Sequence, residues 1–500
     1  MVMDMETASA PQFAKIGPDD PRYTAMSTGF NQRFVGEPAY IQLCATSEQV
    51  RAAVQNAFDA DKRITIRGGG HCYEGFVSDN YGGAIIDLSP MNSAYRDDSM
   101  GGAYCAEGGC TLWDVYPALY KYYGVTIPGG SCYSVGVGGN VCGGGYGLLA
   151  RKHGLTVDHL VAVEVVCVDA QRKASIVTAR KDDPDPAKRD LFWAHTGGGG
   201  GNFGVITRYW FSSDLPRAPR NAYLGSLAWN WSDLTQDEFT QLLVNYGNFF
   251  AQHSAPGDYG DLFTLLHLTQ NVPDGHSQIV VEMQCVGDDP APIDDFIASV
   301  GKGVSPPGPQ RMPIPYRHLV SHEGPYRKMP WIEATQTLNG SGPNQRGKYK
   351  SAYMTKPFPQ HQIDAIWNAL SKPTFVNAQA LLQVDSYGGQ VNAVPPGETA
   401  VAQRSSILKL QYQIYWTDPN QDDQNLNWIR SFYQSVYADT GGVPVVNGDV
   451  TDGCFVNYCD TDLVDWPQLY YKDGYARLVD IKKAWDPYNV FNHAQSIGSV

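Results

Sequence analysis

Three glycine-dense runs fall within the first 204 residues: RGGGHCYEG (67–75), PGGSCYSVGVGGNVCGGGYG (128–147) and GGGGGNFG (197–204). Without a Cβ such runs reach φ > 0 and bring main-chain N–H groups close to a ligand, which is how loops cradle phosphates without cations. The charge balance points the same way. With 37 basic and 51 acidic side chains the chain carries a net charge of −14, so a pyrophosphate bound here has to be held by backbone dipoles. Two of the runs enclose a nucleophile, His71 and Cys132. Singly, a satisfied core histidine, an inert thiol and tight turns would explain them; together they favour a cofactor cradle.

The familiar glycine signatures fail. Gly199, Gly201 and Gly204 fit G-x-G-x-x-G, but the strand pattern VITRYWF follows where a dinucleotide fold needs a helix, and position 219 is Pro where an acid is needed. There is no G-K-[ST] and no G-x-S-x-G. The ten cysteines include no C-x-x-C, and no H-x-x-x-H accompanies them, so no metal site is expected and the thiols read as mostly buried.

Up to about residue 211 the pattern alternates helix and strand. A helix is expected over 47–58, strands over 63–66 and 84–88, a helix near 111–123 and a doubly buried strand over 159–168. Residues 212–425 differ. QIVVEMQCV (278–286) and SILKLQYQIYW (406–416) alternate as long antiparallel strands with one solvated face, and helices at 291–300 and 361–370 would cover the other. Proline clusters at 305–316 and 395–396 mark loops, and helices return at 425–437 and 476–485. The expected class is α+β, with one lobe from 1–211 and 426–500 and a second from 212–425, meeting at a cleft where a small molecule binds. An acidic chain argues against nucleic acid. No window approaches the ~20 apolar residues of a membrane span. The start, MVMDMETASAPQF, lacks an apolar signal region, which suggests the cytoplasm, as a monomer or homodimer.

The segments RGGGHCYEGFV (67–77), PGGSC (128–132), CGGGYG (142–147), HTGGGGGNFGVIT (195–207), YGGQVN (387–392), FVNY (455–458) and DPYNVFNHAQSI (486–497) resemble the berberine-bridge-enzyme-like oxidases, a branch of the vanillyl-alcohol-oxidase-type FAD enzymes. The likeness is greatest to their secondary-metabolite and carbohydrate oxidases. It covers nearly the whole chain. It implies a PCMH-type FAD lobe and a substrate lobe whose large antiparallel sheet roofs the flavin, and it implies bicovalent FAD, with His71 on the 8α-methyl and Cys132 on C6. The cofactor contacts it implies are Arg67, Gly68, Gly69, Gly70 and Gly75 in the first run. In the second they are Pro128, Gly129, Gly130, Ser131, Val135, Gly136, Gly138, Gly139, Asn140, Gly143, Gly144, Gly145 and Tyr146. Gly204, Val205 and Asn457 complete the set. Where the family usually has Gly-Gly-His, this chain has Gly138-Gly139-Asn140, and an amide cannot hold a proton as His does.

Family practice makes Tyr458 the group that removes the substrate hydroxyl proton while the flavin takes hydride. A free phenol has a pKa near ~10, so Tyr458 needs help. Tyr387 and Asp385 are candidates, and alternation sets both on one face. The small residues Gly130 and Val135 beside Cys132 resemble members that react readily with O2, implying H2O2 as a product. The favoured reading is oxidation of an alcohol in a secondary metabolite. Alternatives are a mono- or oligosaccharide oxidase, a dehydrogenative ring closure, and a flavin carrier without turnover.

Overall fold

Local signals place the first elements. Thr46 caps the helix Ser47–Asp59 by accepting from Gln49 N at 3.2 Å, and Val50, Ala53, Val54 and Ala57 form its buried stripe. Thr111 and Asp114 form a capping box on Leu112–Tyr123, which stops at Gly124 with φ 68°. The computed structural model describes residues 14–273, 277–308 and 324–498. The N-terminal segment read for a targeting signal, and most of the proline-rich stretch 305–316, lie outside them.

The chain is α+β, with three sheets among the described residues. A four-stranded sheet runs in the order Lys15–Ile16, Tyr40–Leu43, Ala84–Asp87, Ile64–Arg67, its last three strands parallel. A five-stranded antiparallel sheet runs Ala94–Asp97, Ala103–Glu107, Val205–Phe211, Leu160–Val168, Ala174–Arg180. The tail returns to this part of the molecule. Phe491 bridges to Ile64, and Lys482 donates to the carbonyls of Asn202 and Phe491 at 2.6 Å each.

The seven-stranded antiparallel sheet is drawn from residues 221–416, ordered Tyr326–Pro330, Asn221–Asn230, Gln278–Val286, Leu262–Thr269, Leu381–Ser386, Leu408–Trp416, Arg346–Met354. One face is apolar (Leu266, Val281, Val384, Leu410) and packs on the helices Gln236–Gln252, Ala291–Val300, Gln360–Ser371 and Asp422–Val436. The longest of these, Gln236–Gln252, had no counterpart among the sequence-based expectations.

The other face corrects an expectation. Every residue of Gln278–Val286 is buried, and in Leu408–Trp416 only Tyr415 is partly exposed. The polar half of the alternation therefore faces not bulk water but an internal cavity. Period-two patterning reports that the two faces differ in polarity; it cannot say whether the polar one meets solvent or a binding site.

Candidate active site

The three glycine runs converge on one cavity of about 920 Å³, closed on the opposite side by the polar face of the seven-stranded sheet. Its floor is main chain. Gly68–His71, Gly130–Cys132, Gly136, Gly138–Asn140 and Gly199–Asn202 all line it. The first two runs touch backbone to backbone: a Cβ on Gly136 would sit 2.2 Å from Gly69 N, and one on Gly69 2.2 Å from Gly136 N. Glycine is required there by steric exclusion.

Both nucleophiles stand on this floor. His71 stacks on Phe30 (centroids 4.7 Å apart, 19° between planes), and its Nε2 lies 2.8 Å from Ser134 Oγ. Burial pushes its pKa down to about 4, so the ring is neutral at pH 7 and keeps a lone pair. Cys132 is buried enough that its thiol is pushed up, opposed by its contacts with Ser131 and the Gly340 amide.

Of the expected cofactor contacts, Arg67, Gly68, Gly69, Gly70, Gly130, Ser131, Val135, Gly136, Gly138, Gly139, Asn140, Tyr146, Gly204 and Asn457 border the cavity with the two nucleophiles. Gly75, Pro128, Gly129, Gly143, Gly144, Gly145 and Val205 do not, and the structure gives several of them other work. A Cβ at Gly143 would meet Asn457 Oδ1 at 2.2 Å, so this glycine makes room for Asn457. Asn457 donates to the Asn140 carbonyl at 3.0 Å. Gly75 packs under Phe34 and Asp79, where a Cβ would have 2.8 and 2.9 Å contacts. The side-chain oxygen Oδ1 of Asn140 is buried without a partner. An acceptor held open in a cradle of amides fits a ligand that carries an N–H group, as an isoalloxazine does.

The roof is made of side chains. Tyr458 Oη accepts from Lys409 Nζ at 2.9 Å, and Lys409 pairs with Asp385 Oδ2 at 2.8 Å. Lys409 is 0% and Asp385 2% exposed. The ammonium sits 4.2 Å from the Tyr458 ring centroid and 4.4 Å from that of Tyr146, a cation–π cage. Burial first and then the Asp385 charge raise the phenol of Tyr458 well above its usual value. Lys409 stands between the two and donates to the phenol oxygen, which opposes that rise. Desolvation in turn lowers Lys409, while Asp385 holds it up.

Tyr387 is placed elsewhere. It is fully buried, is not among the cavity residues, and donates its hydroxyl to the Gln403 carbonyl at 3.2 Å, with Tyr146 between it and the cavity side (ring centroids 5.3 Å apart). The strand ends at Ser386, so the alternation that would set Tyr387 beside Asp385 stops one residue short. Lys409 is a candidate that carries no signal in the sequence, since a lysine in an alternating strand looks like a solvated one. His267 is another. It lines the cavity at 3% exposure with both ring nitrogens unbonded, its Nε2 3.4 Å from Glu282 Oε2 but off the hydrogen-bonding direction. Gln383, Gln411 and Gln413 continue this polar wall. Among the described residues no group of three or more His, Cys, Asp or Glu side chains is placed to hold a metal ion, and no helix is long and apolar enough to cross a membrane.

Comparison with known proteins matches the geometry. The FAD binding domain family matches residues 38–173, and the berberine and berberine like family matches residues 454–498. The chain is 42% identical to the aclacinomycin-N/aclacinomycin-A oxidase of Streptomyces galilaeus, over 97% of this chain and 89% of that protein. It is 38% identical to the hexose oxidase of Chondrus crispus, over 96% of this chain and 93% of that one. The crystal structure of aclacinomycin oxidoreductase superposes with a TM-score of 0.88 at 41% identity, covering 97% of this chain and 99% of the other.

Proposed function

Given that the chain belongs to the berberine-bridge-enzyme-like family of FAD-linked oxidoreductases, we propose that it oxidises a CH–OH group of a secondary metabolite to the carbonyl, with O2 as acceptor and H2O2 as product. FAD, when bound, takes hydride from the substrate carbon and passes the electrons to O2. The amides of the three glycine runs would hold the dinucleotide, and His71 and Cys132 would tether its ring at two points. In this reading residues 1–211 and 426–500 form the cofactor lobe and 212–425 the substrate lobe.

The observation that carries the reading is the buried chain Asp385–Lys409–Tyr458, whose two ends, Asp385 and Tyr458, line the cavity. Tyr458 takes the substrate hydroxyl proton. Lys409, donating to the phenol oxygen, stabilises the charge a basic phenol must carry, and Asp385 fixes Lys409 and supports its protonated form. The aclacinomycin oxidase relative supports a metabolite as substrate. A second reading, a mono- or oligosaccharide oxidase, is favoured by one observation of its own: His267, Glu282, Gln383, Gln411 and Gln413 present a wall of donors and acceptors suited to hydroxyl-rich rings. Peroxide release from a panel of hexoses, oligosaccharides and polycyclic alcohols separates the two. Tyr458→Phe is expected to lower kcat by about 10²–10⁴-fold on whichever compound responds, with bound flavin unchanged. Undiminished turnover in that variant, or no peroxide from any compound, would overturn the proposal.

A further inference from the structure

The environment of His71 carries one step more. Two segments far apart in the chain fix its ring. Phe30 stacks on it, and Ser134 holds Nε2. Both are braced by a single stretch from the middle of the chain. Gln345 N donates to the Phe30 carbonyl at 3.1 Å, while Ser341 Oγ accepts from Ser134 N at 3.0 Å and from Ser134 Oγ at 2.9 Å. Asn339 Oδ1 accepts from the amides of Tyr133 and Ser341 at 2.9 and 3.1 Å, which sets the loop carrying Cys132 and Ser134 against this stretch.

The direction of these bonds decides a tautomer. The one hydroxyl proton of Ser134 is given to Ser341. Ser134 Oγ can therefore only accept from His71, which places the imidazole proton on Nε2 and leaves the Nδ1 lone pair free. Ser134 is itself exposed, so the chain Nε2–Ser134–Ser341 runs from the half-buried ring to the surface.

We propose that Ser134 and Ser341 form a proton relay that positions His71 for its own attachment to the flavin. This rests on the reading that the cofactor is covalently held. In the step, Nδ1 would bond to the 8α carbon as that methyl gives up one hydrogen as a proton to water. The imidazole, momentarily cationic, gives its Nε2 proton to Ser134, and Ser134 passes its own proton to Ser341 and on to water. The two electrons of the broken C–H bond are left on the ring system and are removed by O2, giving H2O2. Ser134 and Ser341 are positioning residues, since they act through His71.

The test is peptide mapping of flavin-bearing fragments in protein harvested at successive times after expression is induced, with wild type, Ser134→Ala, Ser134→Thr and Ser341→Ala. In Ser134→Ala the His71-linked fragment is expected to accumulate about tenfold more slowly, the effect of losing one hydrogen bond at a proton-transfer step, while the Cys132-linked fragment keeps its wild-type rate. Ser134→Thr keeps a hydroxyl and restores the His71 link; Ser341→Ala shows a smaller delay of the same kind. Cys132 lies on the same loop as Ser134, so a purely structural role would delay both links together, and that outcome overturns the relay. Equal His71 linkage in Ser134→Ala and wild type overturns it as well. Wild-type protein with no flavin on His71 would instead remove the covalent reading and the relay with it.

Discussion

The floor and roof of the cavity are built by opposite means. The floor, from residues 67–71, 130–140 and 199–202, is nearly all main chain, packed so closely that Gly69 and Gly136 leave no room for a methyl group on each other. The roof, from strands between 262 and 416 with Tyr458 from the tail, is nearly all side chain, with an ion pair, a phenol, three glutamines and an unbonded histidine under cover. A surface made of amides recognises whatever has the right shape and acceptors and changes only by losing its fit. A surface made of side chains can be altered residue by residue without disturbing the sheet behind it. The floor suits an invariant cofactor and the roof suits a substrate that differs from relative to relative.

The largest effect should come from the roof's one interdependent unit. Lys409→Met leaves Asp385 buried without its partner, so stability is expected to fall by about 3–5 kcal/mol in thermal or chemical unfolding. The double change Lys409→Met with Asp385→Leu should recover most of that stability and none of the activity, because the charge is gone but so is the group that assists Tyr458. Full recovery of turnover would show that the ion pair is structural only.

Next in size is the floor. Gly136→Ala drives a methyl into the Gly69 amide, and about 1–3 kcal/mol of overpacking is expected, read as a lowered Tm together with loss of bound flavin. If the variant retains flavin, the floor is more plastic than its contacts imply.

A smaller and more selective change is expected where floor meets ligand. Gly130→Leu or Val135→Ile should slow flavin reoxidation in stopped flow while anaerobic reduction by substrate proceeds as before; equal slowing of both half-reactions would count against an oxygen path along these residues. Both line the cavity.

Least should follow from Tyr387→Phe. It removes the hydrogen bond to a buried carbonyl and the one with Tyr353, costing about 0.5–1.5 kcal/mol each, and kcat should hold. A large drop in kcat would return Tyr387 to the active centre.

Pattern alone revealed much of this. The helices over 47–59 and 112–123 announce themselves by a cap and an apolar stripe, and the doubly buried strand at 160–168 by an apolar run broken by Glu164 alone. The resemblance brought His71, Cys132, Asn457 and Tyr458 forward, and the structure gathers all four around one cavity. Other features were not legible for a physical reason. Gln284, Gln411 and Lys409 have the alternation of a solvated face, and only the segments packed over them turn that face into an interior. Asp385 and Tyr387 share a parity in the sequence, but parity holds only while the strand lasts.

By itself the order of residues determined the local geometry and the chemistry available: which stretches coil, which extend, where side chains vanish so that amides can meet a ligand, and which nucleophiles stand among them. Only the tertiary structure decided which of those groups meet. Lys409 reaches Tyr458 across 49 positions and Ser134 reaches Ser341 across 207. A polar group's role depends on whether water or a partner satisfies it, and that is settled only when distant segments close over it.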